Sequence, residues 1–276
     1  MKKSKVGSSR TYAASAQRAR EDEDRPTHSA AARALAILRA VSASETPVSA
    51  VELHPRLGLP KPTIHRLMLL LENLGFLERE PGSKRFITGP AQAEMALETF
   101  INSPQRMVRH AILQSLVDEV QETCNITVLS GSEVNYVDRV ESHWPLRSHM
   151  QPGSRVPLHC GASGKLFLSF MPAQKRRQLL HAAPLRKYTE NTVIDPTLIE
   201  KELKRVRTAE TGLDAEEFLK GLIGVAVPVF DPRKRMCATV SLHVPTVRCT
   251  PEQALAYVPA LKRAAIAVGK TLGAKA

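Results

Sequence analysis

Apolar residues recur along the chain with two different periods, and the change from one to the other divides it. Between residues 29 and 74 the period is helical. Leu35, Leu38 and Val41 share one face of a predicted helix over 29–43. Thr46-Pro47 punctuates it, and a second short helix is predicted over 48–57, broken by Gly58-Leu59-Pro60. In the third, over 61–74, Ile64, Leu67, Met68 and Leu71 fall at i, i+3, i+4 and i+7, the spacing of a buried stripe. Gly75 is placed to end it in a left-handed turn. Two short strands, 76–79 and 85–87, flank Pro81-Gly82-Ser83-Lys84, a strong turn sequence. Helix, helix, turn, helix and hairpin is the order of a winged helix-turn-helix.

Residues 91–100 are predicted to form a connecting helix, and Asn102-Ser103-Pro104 marks a boundary. From Gln105 the pattern is mixed. Helices are expected at 107–123, 162–170, 172–181, 196–211 and 251–272. Strands are expected at 125–130 and 133–139, and as the β-branched runs 224–230 and 237–244. Hairpins interspersed with helices predict an α+β domain with helices packed on a sheet. The expected organisation is thus an arm (1–28), a winged helix-turn-helix (29–90), a linker helix (91–104) and a larger α+β domain (105–276).

Composition changes the picture in three ways. At 276 residues the chain has room for two domains, and with 43% apolar but only 4% aromatic residues its cores must be aliphatic. The formal charge of +12 favours an anionic partner without choosing between nucleic acid and a membrane surface. No apolar run approaches the roughly 18 residues of a membrane span. The basic start MKKSK is followed by TYAASAQRAR, which lacks the apolar core of a secretory signal. No membrane association is expected, and the cytoplasm is the expected compartment. The four cysteines, Cys124, Cys160, Cys237 and Cys249, form no C-x-x-C pair, so neither a metal site nor a cofactor is called for. Residues 1–28, rich in Lys, Ser and Ala with a RAREDEDR charge run, read as a disordered arm whose Lys2, Lys3 and Lys5 could touch phosphates.

On the third helix, the face opposite the apolar stripe carries Pro62 and Arg66 flanked by Thr63 and His65, with Lys61 at the N-terminal end. A recognition helix presents its N-terminal residues to the major groove. Arg66 can fork onto guanine or clamp a phosphate, while Lys61 and Thr63 suit phosphates near the helix N-terminus. Lys84 and Arg85 fall at the expected wing tip. Double-stranded DNA is therefore the expected partner. In the larger domain, the small-residue run His159-Cys160-Gly161-Ala162-Ser163-Gly164-Lys165 opens a helix. Small residues allow close approach to backbone, and free N–H groups there favour an anion such as a carboxylate. Ser241 and His243 share one face of their strand. Helix–sheet packing is the alternative explanation of the run, turn-capping that of Asp214, and a satisfied core residue that of His243.

The segments RALAILRAVS, GLPKPTIHRLMLLLENLGFLERE and FITGP resemble the N-terminal domain of the IclR family of bacterial regulators. VNYVDRVES, PLRSHMQPGSRVPLHCGASGKLFLSF and DAEEFLKGLIGVAVPVFD resemble its effector domain, so the likeness runs from about residue 30 to 273 in order and spacing. It implies a winged helix joined by a linker helix to a GAF-like ligand domain. It also implies an effector-controlled transcription regulator, not an enzyme, working as a homodimer or a dimer of dimers. RNA polymerase is a further candidate partner. The resemblance places effector contacts at Ala162 and Ser163, beside Gly161, and at Asp214, Gly224, Ser241 and His243. Gly224 stands where relatives often carry Cys, which predicts a wider pocket. His243 stands where they often carry Ser, which predicts added bulk and a hydrogen-bond partner, and so a bulkier, even aromatic, carboxylate. Pro55 stands inside the second helix, where proline costs about 3 kcal/mol, so that helix is expected to kink or end early. Pro62 stands where a hydroxyl residue is usual, in a first turn that tolerates it. Two rival readings use the cysteines. One is a hydrolase with Cys160 as nucleophile and His143, His149 or His159 as base. The other is a redox sensor at Cys249, beside Arg248.

Overall fold

A computed structural model describes residues 29–44, 46–80, 82–145 and 154–272, in two compact units divided between Met95 and Ala96. The expected arm at 1–28 lies outside the described residues. In the first unit, α1 (Ala30–Ser42), α2 (Ala50–Leu57) and α3 (Lys61–Asn73) precede the hairpin β1 (Leu77–Arg79) and β2 (Phe86–Thr88). Ser29 caps α1 through its side chain. Ser49 and Glu52 form a reciprocal capping box on α2, which satisfies two otherwise unpaired backbone groups. Ile37, Leu53, Ile64, Met68, Leu77 and Phe86 meet in one largely aliphatic core with their neighbours. Val48 makes an isolated antiparallel bridge to Phe86 beside the two-stranded wing.

Pro55 neither ends α2 nor shortens it, contrary to the sequence expectation. The helix runs to Leu57 and stops at Gly58, whose φ of 66° is left-handed. Pro55 lies in the last turn, so its missing N–H removes one bond, and the cap set by the glycine decides where the helix ends.

The helix α4 (Pro90–Asn102) spans the division between units, and its Leu97, Phe100 and Ile101 pack on the core of the second unit. That unit contains α5 (Arg106–Val120), β3 (Thr123–Ser130), β4 (Glu133–Val140), β5 (Arg155–Pro157), α6 (Ala162–Phe170) and α7 (Ala173–His181). Then come α8 (Pro196–Ala209), β6 (Gly212–Ala215), β7 (Leu222–Phe230), β8 (Met236–Pro245), the short α9 (Pro251–Ala254), a 3-10 turn and α10 (Val258–Thr271). The strands form one antiparallel sheet in the order β5-β4-β3-β8-β7-β6. Both faces are covered. Ile126, Val225, Val227, Val240 and Leu242 point to α5 and α10, while α6 and α8 cover the other face. The mixed α+β architecture is as expected. The short strands β5 and β6 are additions that the sequence pattern did not disclose.

Candidate DNA-binding surface and effector pocket

On α3 the two faces separate as the periodicity requires. Ile64, Leu67, Met68 and Leu71 are buried, while Lys61, Pro62, His65 and Arg66 are exposed and Thr63 is half-buried. No side chain caps the first turn of α3, and Pro62 lies within it. That turn therefore offers backbone N–H groups at the positive end of the helix dipole. Lys84 is exposed on the wing. Arg85 is exposed on the wing as well, with a partner that the sequence did not reveal. Its guanidinium donates to Glu52, the capping carboxylate of α2, and so braces the wing against that helix instead of extending from it. Arg79 is likewise occupied, 2.8 Å from Glu72 and stacked over Phe86.

In the second unit, a small and largely enclosed pocket forms where the N-terminus of α6 faces the sheet. Gly161, Ala162, Ser163, Asp214 and His243 line it together with Tyr136, and Val134, Val156, Phe218 and Leu222 supply apolar wall. The sheet register brings these residues together: Asp214 on β6 pairs with Gly224 on β7, which pairs with His243 on β8. Gly224 does not line the pocket. A Cβ there would sit 3.3 Å from the His243 ring, 3.4 Å from Asp214 Cβ and 3.5 Å from Ala162 Cβ. A methyl group there would meet Asp214 and Ala162 at ordinary contact distance and the His243 ring slightly closer, so the glycine borders three pocket residues from below the lining. Close packing also explains Gly164, where a Cβ would lie 2.4 Å from the carbonyl oxygen of Leu158. Ser241, on the same face of β8 as His243, is 1% exposed, and its Oγ has no hydrogen-bond partner among the described residues.

No side chain caps the first turn of α6, so its N–H groups point toward the pocket end. Asp214 accepts the backbone N–H groups of Glu217, at 2.7 Å, and Phe218, at 3.3 Å. Burial nevertheless raises its pKa to about 6, outweighing those bonds and the nearby Lys165. Behind it, Lys165 is 1% exposed and donates to Glu217, to Glu202 at 2.7 Å and to the Leu213 carbonyl at 2.9 Å. Burial opposes the charge on Lys165, but the two carboxylates overcome it and hold its pKa above the usual value. Burial also lifts Glu217 to about 7. His243 is pushed the other way, down to about 4, by burial and then by the charge of Arg139. The ring is neutral. A larger groove, about 440 Å³, lies beside α10 and the β7–β8 hairpin; Glu210, Asp231, Lys262 and Lys270 line it with apolar residues, and its Asp231 is tied to Arg235.

Two family models cover the chain: the IclR helix-turn-helix domain over residues 30–81, and the bacterial transcriptional regulator IclR C-terminal domain over residues 103–270. This chain belongs to the IclR family of transcriptional regulators. Among relatives of this IclR-family chain, "Probable transcriptional regulator SauR" of Cupriavidus necator is 42% identical over 245 residues, covering 89% of this chain and 97% of that protein. The crystal structure of the Thermotoga maritima IclR is similar with a TM-score of 0.59 and 27% identity, covering 88% of this chain and 98% of that one. The inducer-binding domain of PobR from Acinetobacter, a double mutant complexed with 3-hydroxybenzoic acid, is similar with a TM-score of 0.54 and 26% identity. It covers 59% of this chain and 96% of that one.

IclR-family proteins are transcription regulators, not enzymes, and the thiols agree. Cys160 is fully buried, and burial with the Asp214 and Glu217 charges lifts its pKa to about 12. His159 is engaged with the Arg186 carbonyl at 3.0 Å, His143 is exposed, and His149 lies outside the described residues. Burial likewise raises the Cys249 pKa, and Arg248 beside it is spent on Glu122 at 2.7 Å. The sequence reading missed Asn125, Tyr136, Arg139, Lys165 and Glu217. For Asn125 a signal existed: Thr123, Asn125 and Thr127 alternate with apolar Cys124, Ile126 and Val128, and so form a polar row on one face of a buried strand.

Proposed function

We propose that this regulator binds a two-fold operator through α3 and the wing, and that a small organic acid in the α6 pocket sets its DNA affinity. The observation that carries the effector half is the convergence of an uncapped helix N-terminus, Asp214 and His243 in one enclosed space, with the buried Ser241 Oγ two positions away on the same face of β8. The uncapped amides suit a carboxylate, Asp214 accepts a ligand hydroxyl, and the apolar wall suits a carbon skeleton. The PobR domain's 3-hydroxybenzoic acid supports a small hydroxy-acid as the class. Effector contacts are assigned to Gly161, Ala162, Ser163, Asp214, Ser241 and His243, with Gly224 between Asp214 and His243 in the sheet register. DNA contacts are assigned to Lys61, Pro62, Thr63, His65, Arg66 and Lys84.

The domain limits proposed are 29–90 for DNA binding, 91–104 for the linker and 105–276 for effector binding and self-association. A homodimer places two recognition helices about one DNA turn apart, or a multiple. A dimer of dimers and a contact to RNA polymerase are compatible with the same chemistry, and the cytoplasm is the fitting compartment. Among the described residues no helix is long and apolar enough to cross a membrane. Moving the regulator between two states from 1:99 to 99:1 takes roughly 5.5 kcal/mol of differential effector affinity. Two bound ligands supply it when each discriminates by about half.

Selection of genomic fragments with the purified protein, followed by anisotropy titrations at several salt concentrations, tests the reading. A symmetric site whose affinity falls steeply with salt is expected, and Arg66→Ala should weaken binding and flatten the salt slope by about 1. No enrichment, with or without a panel of hydroxy-acids, would overturn it.

A further inference from the structure

Resting on the effector-pocket reading above, we infer that a one-way hydrogen-bond chain, Arg139 to Asn125 to His243 to Tyr136, sets the polarity of the pocket, makes the Tyr136 hydroxyl a donor, and so selects an effector with an oxyanion at that end. The chain runs across three neighbouring strands. Asn125, on β3, pairs in register with Arg139 on β4, and its neighbour Thr123 pairs with His243 on β8. All four side chains are at least nine-tenths buried.

The direction follows from donor chemistry. A guanidinium has hydrogens and no acceptor. Arg139 Nη1 therefore donates to Asn125 at 2.9 Å, and the Asn125 atom receiving it must be the carbonyl oxygen. The other atom of that amide, Nδ2, carries only hydrogens and lies 3.1 Å from His243 Nδ1. Nδ1 must then be the bare, accepting nitrogen. A neutral imidazole with bare Nδ1 holds its proton on Nε2, which lies 3.4 Å from the Tyr136 hydroxyl oxygen. Tyr136 accepts that proton's hydrogen bond and keeps its own hydrogen for the pocket, which it lines. Burial supports both ends of the assignment. It holds the His243 ring neutral, and it raises the Tyr136 pKa so that the hydroxyl stays protonated. Each bond polarises the next, so the Arg139 cation is felt at the hydroxyl without a charge entering the pocket. Asp214 lines the same pocket as an acceptor, and its charge, after burial, also helps hold the Tyr136 hydroxyl protonated. The two features orient a hydroxy-acid: oxyanion toward Tyr136, hydroxyl toward Asp214. A serine at position 243 could not transmit this polarity, because its hydroxyl rotates and can accept or donate.

The test uses [15N]histidine-labelled full-length protein at pH 7, with His243 assigned by the signal lost in His243→Gln. The expected spectrum is that of a neutral ring protonated at Nε2. Asn125→Asp replaces the donor facing Nδ1 with an acceptor and should bring a proton onto Nδ1. Affinity is then measured for 3-hydroxybenzoate and its uncharged amide, 3-hydroxybenzamide. Wild type should prefer the acid, and Tyr136→Phe should cut that preference about tenfold or more. A wild-type ring protonated at Nδ1, a spectrum unchanged in Asn125→Asp, or an acid preference unchanged in Tyr136→Phe would each overturn the inference. If neither compound binds wild type, the hydroxy-acid reading of the pocket fails, while the ring spectrum still decides the direction of the chain.

Discussion

Replacing Asp214 with Asn isolates one electrostatic cost built into the pocket. Asp214 has a folded-state pKa of about 6 against an ordinary value of 3.8, raised by burial. The folded protein therefore binds more protons than the unfolded chain between those two values, and stability falls as pH rises through that window. The gap is about 2 pH units, and at 1.36 kcal/mol per unit the ionised Asp214 costs about 3 kcal/mol once the pH exceeds 6. Asn keeps an oxygen to accept the Glu217 and Phe218 amides but never ionises. Asp214→Asn should match wild type near pH 4 and exceed it by about 3 kcal/mol at pH 7. Glu217, lifted to about 7 chiefly by burial, adds a second decline with rising pH, slightly smaller in the variant because the Asp214 charge contributes to it. The single tryptophan, Trp144, belongs to the second unit, so its fluorescence in urea titrations reports the relevant transition. Parallel stability–pH curves for the two proteins would refute the claim that Asp214 is held ionised at a cost.

Three further outcomes are expected. Lys165→Met should destabilise the second unit by about 3–5 kcal/mol, because it strands buried Glu217 without its cation, and urea melts would read it. Gly164→Ala forces a methyl group against the Leu158 carbonyl and should cost roughly 1–3 kcal/mol while shifting the start of α6, so effector binding measured by calorimetry should weaken as well. On the wing, Lys84→Ala should lower DNA affinity in anisotropy titrations, whereas Arg85→Ala should mainly remove an exposed brace to Glu52 worth about 0.2–1 kcal/mol of stability.

The elements that carry DNA binding were legible because their determinants are local. Helix period, the Gly58 stop and the Pro-Gly turn act within a few residues, and they placed α1, α2, α3 and the wing. The exposed face of α3 followed from its buried stripe without any knowledge of tertiary contacts. The ion pair of Arg85 was not legible for the opposite reason: its partner Glu52 is 33 positions away, and nothing local signals their meeting.

The sequence by itself determined the two-part organisation, the composition of the cores, the exposed face of α3 and, through family likeness, the positions proposed to surround the effector. The tertiary structure alone decided what those positions do. Gly224 could be read as extra space from its missing side chain, but only the packing shows that His243, Asp214 and Ala162 border that space. The strands β5 and β6 were invisible because three or four residues carry too little period to register, and their pairing comes from the neighbouring strands. The polarity of His243 rests on Asn125, 118 positions away, and on Arg139 beyond it. Hydrogen-bond direction is a property of partners in space, and an antiparallel sheet gathers those partners from strands far apart in the chain.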